Sequence, residues 1–119
     1  MAYVPMTAGG SGSSIDLLNP DVIRQIDIAS GATVSIPVTQ LPRYVILTYS
    51  RASNASDRSG LEIYDVDGGH NRMWQYTSNG YTDNFDTPGD NDVASITSSS
   101  VTVTSVRSWT ARFEILIYY

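Results

Sequence analysis

At 119 residues, the chain is long enough for one domain with a single hydrophobic core. It has no cysteine, which excludes disulfides and thiolate metal sites, and no lysine, which excludes Schiff-base chemistry. Its seven basic residues, all arginine, are outnumbered by twelve acidic ones, and the net charge of −5 argues against nucleic acid as a partner.

Membrane insertion and secretion are not expected from the sequence. No apolar run approaches the roughly 18 residues that a membrane-spanning helix needs. The first residues, MAYVPMTAGGSGSS, lack the basic and apolar regions of a secretory signal, so we expect synthesis in the cytoplasm. Threonine, serine, valine, isoleucine and tyrosine are abundant, which is typical of an all-β protein.

The N-terminal residues 1–14 are predicted to form an extended arm, followed by a single domain over residues 15–119. A short apolar piece with Tyr3, Val4 and Met6 precedes AGGSGSS, which has the composition of a flexible linker. Such an arm has too little apolar surface to order itself. We therefore expect Tyr3, Val4 and Met6 to bind a partner, with a neighbouring subunit as the natural candidate.

Three strands are predicted in the first half of the domain. Residues 22–28 and 32–38 alternate in polarity and flank Ala29-Ser30-Gly31, a pattern that predicts a β-hairpin. Pro37 cannot donate to a β-ladder, which places its strand at a sheet edge. Residues 43–50 (RYVILTYS) are continuously apolar and predict a central strand.

The middle of the chain predicts two strands and a long loop. The strands at 61–66 and 72–77 flank DVDGGHN (residues 65–71), which is typical of a tight turn. Residues 78–92 have no strand periodicity, so we expect a loop of fifteen residues.

Short strands at 94–96 and 101–106 precede the clearest pattern in the chain. Apolar residues fall at every second position from Trp109 to Tyr119, which predicts a strand with one buried face. Together these segments predict an antiparallel β-sandwich of about eight strands, jelly-roll-like, with an extended N-terminal arm.

Two acidic stretches are candidate cation sites. DVDGGHN has the first spacing of a calcium loop, but it lacks a third acid and the distal glutamate. The better candidate is the set of metal ligands Asp83, Asp86, Asp90 and Asp92, for which calcium is the one possible cofactor. The alternative, which the sequence favours, is a solvated acidic loop without a cofactor.

The sequence predicts that the protein is not an enzyme. His70 is the only histidine, and no serine lies in a G-x-S-x-G elbow. Glu62 and Glu114 lie within strand-like alternation, where surface salt bridges are a simpler explanation than paired acid catalysts.

Three aromatic residues, Trp74, Tyr76 and Tyr81, are candidate ligand-binding residues. Flat aromatic faces bind the apolar side of a sugar ring, which favours carbohydrate as the ligand. The alternative is that Trp74 and Tyr76 face the core, as aromatic residues in sandwich strands routinely do. Tyr81, beside Gly80 in the predicted loop, is the least explained by core packing.

The segments IDIASGATVSIPV, RYVILTYS and SSSVTVTSVRSWTARFEILIYY, together with the Gly/Ser arm, resemble small β-sandwich modules of tailed-phage virions. These are tail-fibre and baseplate modules or capsid-decoration proteins. The resemblance implies a non-enzymatic virion component that forms a homo-oligomer, with a trimer expected, and docks on other virion proteins through its arm. The alternative is a carbohydrate-binding module for a cell-surface glycan.

Overall fold

The computed structural model describes residues 6–7, 14–54, 59–67, 69–77, 80–85 and 92–119; residues 6–7, 14–15, 70–77 and 80–85 are described by their strand pairing. Within these ranges the secondary structure is all β, and no helix is long and apolar enough to cross a membrane. The strands are β1 (Met6–Thr7), β2 (Ser14–Ile15), β3 (Val22–Ile28), β4 (Thr33–Pro37), β5 (Tyr44–Arg51), β6 (Ser59–Asp65), β7 (His70–Thr77), β8 (Gly80–Phe85), β9 (Val93–Ile96), β10 (Ser100–Thr104) and β11 (Ala111–Tyr118).

Two antiparallel sheets form the body of the protein. The larger sheet has the strand order β3-β11-β5-β6-β7-β8, and the smaller one has the order β4-β10-β9. Side chains from both sheets make one buried cluster, and the predicted antiparallel β-sandwich is therefore confirmed. The N-terminal strands β1 and β2 pair with each other, with Met6 opposite Ile15; Tyr3 and Val4 lie outside the described residues.

The strand β11 shows how the sequence builds this core. Ala111, Phe113, Ile115 and Ile117 are fully buried, whereas Arg112 and Glu114 between them are exposed. Across the core, Val101 and Val103 of β10 are also fully buried. The period-two pattern thus marks the inner face of the large sheet, as predicted.

The topology is jelly-roll-like on one side of the sandwich. The first strand of the body, β3, pairs with the last, β11, which in turn pairs with β5. In the other sheet β4 pairs with the penultimate strand β10. The remaining strands of the large sheet, β5 to β8, follow as a simple meander. The meander extends this sheet well beyond the three strands of its partner.

Several local predictions are confirmed. The central strand predicted from RYVILTYS is β5, between β11 and β6. The strand that contains Pro37, β4, lies at a sheet edge. DVDGGHN is a turn: Asp65 ends β6 opposite His70 at the start of β7, and Gly69 has a φ of 68°.

The predicted hairpin of residues 22–38 is wrong. β3 belongs to the large sheet and β4 to the small one, so the turn carries the chain across the sandwich. Gly31, with a φ of 76°, makes this turn, and its N–H donates to the Ser105 carbonyl over 2.8 Å. The same tight turn can join two paired strands of a hairpin or two strands in different sheets. Here β3 pairs with β11, so the turn joins the two sheets.

The predicted loop of residues 78–92 is also partly wrong, because Gly80–Phe85 is the edge strand β8. Its sequence, GYTDNF, mixes polar and aromatic residues without an apolar face. A strand whose sequence has no apolar face has no hydrophobic pattern of period two, so the sequence does not reveal it.

We expect Gly60→Ala to destabilise the fold. Gly60 lies opposite Tyr49, and a Cβ at this position would overlap the Tyr49 ring, which packs against Trp109 and Phe113. Such overpacking costs about 1–3 kcal/mol, measurable as a lower free energy of unfolding in urea. Gly69→Asn is the control: Gly69 has open space around it, and asparagine tolerates its positive φ. Equal losses in both variants would contradict the clash.

Candidate functional site

The register of the large sheet determines which residues lie on its outer face. In β6, Glu62 and Tyr64 are buried on the core side, so Leu61 and Ile63 belong to the opposite, outer face. Leu61 is paired with Trp74 of β7. Residues directly opposite each other share a face, and Trp74 therefore occupies an outer-face position.

The three predicted ligand-binding residues come together on this outer face. Tyr76 lies two residues beyond Trp74 in β7, directly opposite Tyr81 of β8, and Trp74 is opposite Asp83. The register thus disagrees with the alternative of a core-facing Trp74 and Tyr76. It also corrects the placement of Tyr81, which belongs to a strand and not to a loop.

The other half of the outer face, over β3, β11 and β5, is polar around Arg112 and Glu114, whereas the neighbouring row of Ile23, Leu116 and Ile46 is apolar. Arg112 donates from Nε and Nη2 to the two carboxylate oxygens of Asp27, over 2.9 and 3.2 Å. This hydrogen bond lowers the pKa of Asp27 and raises that of Arg112. Beside this pair, Gln25 Nε2 donates to Glu114 over 3.3 Å. A shallow open depression of about 220 Å³ lies at these residues and continues to Thr48 and Ser50.

On the inner side, Glu62 and Asp92 form a buried acidic cluster. Glu62 is 1% exposed and Asp92 is fully buried. The Glu62 Oε1 atom accepts hydrogen bonds from the Tyr64 hydroxyl and, over 3.0 Å, from the Asp92 N–H. The expectation of a surface salt bridge at Glu62 is therefore wrong, whereas Glu114 does lie at the surface.

The side chain of Asp92 is held by the loop between β10 and β11. Arg107 Nη2 donates to Asp92 Oδ2 over 3.0 Å, and the Val106 N–H donates to Oδ1 over 3.2 Å. The Arg107 guanidinium also lies 4.4 Å from the centre of the Tyr49 ring. This network fixes the start of β9 against β5 and β6, and its depth in the protein indicates a structural role.

At neutral pH the buried cluster of Glu62 and Asp92 holds one proton, on Glu62. Burial, together with the hydrogen bond and negative charge of Asp92, raises the pKa of Glu62 to about 9. Burial and the charge of Glu62 also raise the pKa of Tyr64. At neutral pH Glu62 is therefore protonated and neutral beside the Asp92 carboxylate. The Arg107 guanidinium, 3.8 Å from Glu62 Oε2, balances the remaining charge.

The four predicted metal ligands have different placements. Asp83 lies in β8, Asp86 and Asp90 lie outside the described residues, and both carboxylate oxygens of Asp92 are engaged in the buried cluster. Among the residues that the structure describes, no group of three or more acidic or histidine side chains could hold a metal ion. Calcium binding at Asp83, Asp86 and Asp90 stays a prediction.

The position of Glu62 in the alternation of β6 is a sequence signal for the buried cluster. Glu62 alternates with Tyr64 on the face that pairs with Val45 and Leu47, the most buried part of β5. A glutamate at a core position requires a partner. Its partner is thirty residues away in sequence, and local patterns do not reach that far.

Comparison with known proteins returned no relative. No protein-family model matches the chain, and no curated protein or solved structure is significantly similar to it.

We expect the stability of the protein to fall as the pH rises, because of Glu62. Its pKa is raised from 4.5 to about 9, so between these values the folded protein holds a proton that the unfolded chain releases. The stabilisation is complete below pH 4.5 and is lost as the pH approaches 9, by about 1.4 kcal/mol per pH unit for one proton. Urea unfolding between pH 5 and pH 9 measures this slope.

Glu62→Gln should flatten this dependence, because its amide is neutral at any pH and can still accept from the Tyr64 hydroxyl. The variant should gain stability relative to the wild type as the pH rises. Glu114→Gln, at an exposed position of β11, is the matched control and should retain the wild-type slope. A slope that survives in Glu62→Gln would show that the proton resides elsewhere.

Proposed function

We propose that this chain is a non-enzymatic structural subunit of a tailed-phage virion, which self-associates and contacts other virion proteins through its N-terminal segment. A trimer is the expected state. One observation supports self-association above others: large apolar side chains are exposed together at one end of the body. Leu17, Leu18, Ile23 and Leu41 are 45, 74, 56 and 49% exposed.

These four residues surround the end of β11. Ile23 is near the start of β3, whose residues pair with the last residues of β11. The Tyr118 hydroxyl donates to the Leu17 carbonyl over 2.9 Å. Leu41 precedes Arg43, whose N–H donates to the Tyr118 carbonyl over 2.8 Å. Several large apolar side chains exposed at one end of a domain favour a protein interface there.

The exposure of the two leucines is imposed by a well-formed turn. Asp16 accepts a hydrogen bond from the Leu18 N–H over 3.1 Å and from the Asn19 side chain over 2.7 Å. This turn follows β2 directly, so the segment with the predicted partner-binding residues joins the body at its apolar end. Burying each leucine in a subunit interface would contribute about 1.5–3 kcal/mol.

We expect the double variant Leu18→Ser, Ile23→Ser to dissociate the oligomer, because it removes the two most exposed apolar side chains of this end. Mass photometry and light scattering after size exclusion would show a trimer for the wild type and a monomer for the variant. Val106→Ser is the matched control: Val106 is 42% exposed and precedes Arg107, whose carbonyl accepts from Ser30 at the opposite end of β3. A monomeric wild type would overturn the proposal of self-association.

The virion role has its own test. The protein should sediment with intact particles in a density gradient, and peptide mass spectrometry of the gradient fractions detects it there. Recovery only in the soluble fraction would contradict a virion location while leaving the oligomer result untouched.

A second function, carbohydrate binding for attachment to a cell-surface glycan, is favoured by the strand register. Tyr76 and Tyr81 are directly opposite, and Trp74 and Asp83 form the next outward pair. Aromatic residues and a carboxylate at adjacent positions of one face suit a sugar ring, which has an apolar side and a polar edge.

We expect Trp74→Ala and Tyr81→Ala each to abolish binding on a glycan array, because each removes a stacking surface. Both variants should retain the oligomeric state, since neither residue belongs to the apolar end. The double variant Leu18→Ser, Ile23→Ser is the reciprocal control: its monomer should still bind the glycan. Glycan binding that persists in both aromatic variants would place the sugar site elsewhere.

A further inference from the structure

We infer that the outer face of the large sheet is one continuous binding track for an extended, neutral oligosaccharide. In this track the polar depression over β3, β11 and β5 is a second subsite beside the aromatic residues of β7 and β8. This inference rests on the carbohydrate-binding function proposed above. The polar subsite is defined by Gln25, Thr48, Ser50, Arg112 and Glu114.

Strand register places three outer-face rows of residues across all six strands. The row nearest the end of β11, which begins with Ile23 and Leu116, is apolar, and the two rows beyond it are polar in β3, β11 and β5. Each row follows directly opposed pairs from one sheet edge to the other, and the members of a row share the outer face. The first of these two rows is Gln25, Glu114, Thr48, Leu61, Trp74 and Asp83. The second is Asp27, Arg112, Ser50, Ser59, Tyr76 and Tyr81.

Each row changes in character along its length. In these two rows the positions in β3, β11 and β5 are charged, amide or hydroxyl side chains, and those in β7 and β8 include Trp74, Tyr76 and Tyr81. With adjacent strands about 4.8 Å apart, β11 and β7 are separated by about 14 Å. A ligand that contacts both halves must therefore be a chain longer than a single sugar ring.

The polar subsite has the chemistry that sugar hydroxyls require. A hydroxyl both donates and accepts, and the subsite offers carboxylate acceptors, guanidinium donors and two hydroxyl groups. Thr48 is exposed, and Arg112 and Asp27 expose 58 and 47% of their side chains. Since Arg112 is already paired with Asp27, this half offers no excess positive charge, which favours a neutral ligand over an anionic one.

One end of the track is closed. Tyr118 occupies an outer-face position in β11, but it is only 3% exposed and its hydroxyl donates to the Leu17 carbonyl. The turn at residues 16–19 therefore covers this end of the face. The two open rows lie farther along β11, at Glu114 and Arg112, and the ligand is expected to cross the strands there.

The test is calorimetric titration of the full chain with neutral oligosaccharides of increasing length. The probes are cello-, malto- and chito-oligosaccharides from the monosaccharide to the hexasaccharide. Affinity should increase with length for at least one series. Thr48→Val and Glu114→Ala should each weaken binding of the hexasaccharide by about tenfold, as expected for one lost hydrogen bond, and leave binding of the shortest ligand unchanged.

Thr33→Val, at an exposed position of β4 in the other sheet, is the matched control and should bind every length like the wild type. Trp74→Ala should lose binding at every length. If the hexasaccharide binds no more tightly than the shorter ligands, or if Thr48→Val and Glu114→Ala bind it normally, the track is wrong while the aromatic site stands. If the folded wild type binds no oligosaccharide of any series, the carbohydrate function and the track fail together.

Discussion

The rest of this fold depends on β11 lying between β3 and β5. Both neighbours pair with it over nearly its whole length, and they do not pair with each other. Its inner side chains, among them Phe113, Ile115 and Ile117, are fully buried against the smaller sheet. A shift of one residue in this register would turn these side chains outward and bury Arg112 and Glu114. Burial in the core therefore also determines which residues remain on the outer face, where the proposed ligand track lies.

Burial of Glu62 and Asp92 costs free energy, whereas burial of the apolar core stabilises the fold. The proton on Glu62, Arg107 and two main-chain N–H groups offset the cost of burying the two acids. Polar networks of this kind are satisfied in one arrangement only, which defines where β9 begins beneath β6. The apolar core stabilises the sandwich, whereas this cluster specifies how the segment returning from the edge of the large sheet joins the small one.

Local patterns predicted those parts of the structure in which burial repeats along the chain. The alternation in β11, the apolar run of β5 and the edge position of Pro37 all follow from single segments. The turn at Gly31 fits a hairpin and a crossing alike because its geometry is independent of the sheet that follows, and β8 gives no strand signal because its sequence lacks an apolar face. Composition selected Trp74, Tyr76 and Tyr81, but only the pairing of β6, β7 and β8 shows that they share a face. The burial of Glu62 and Asp92 does not follow from single segments, because their contact spans thirty residues.

The place of β11 in the chain order also affects how the domain folds. Its two neighbours, β3 and β5, are synthesised well before it, and until it inserts each of them has an unpaired edge toward the gap. Pairing across so long a sequence separation closes slowly, so the nascent domain passes through a stage with exposed, apolar strand edges. Such edges template association between chains. The insertion that completes the core is thus the same event that ends the aggregation-prone period of folding.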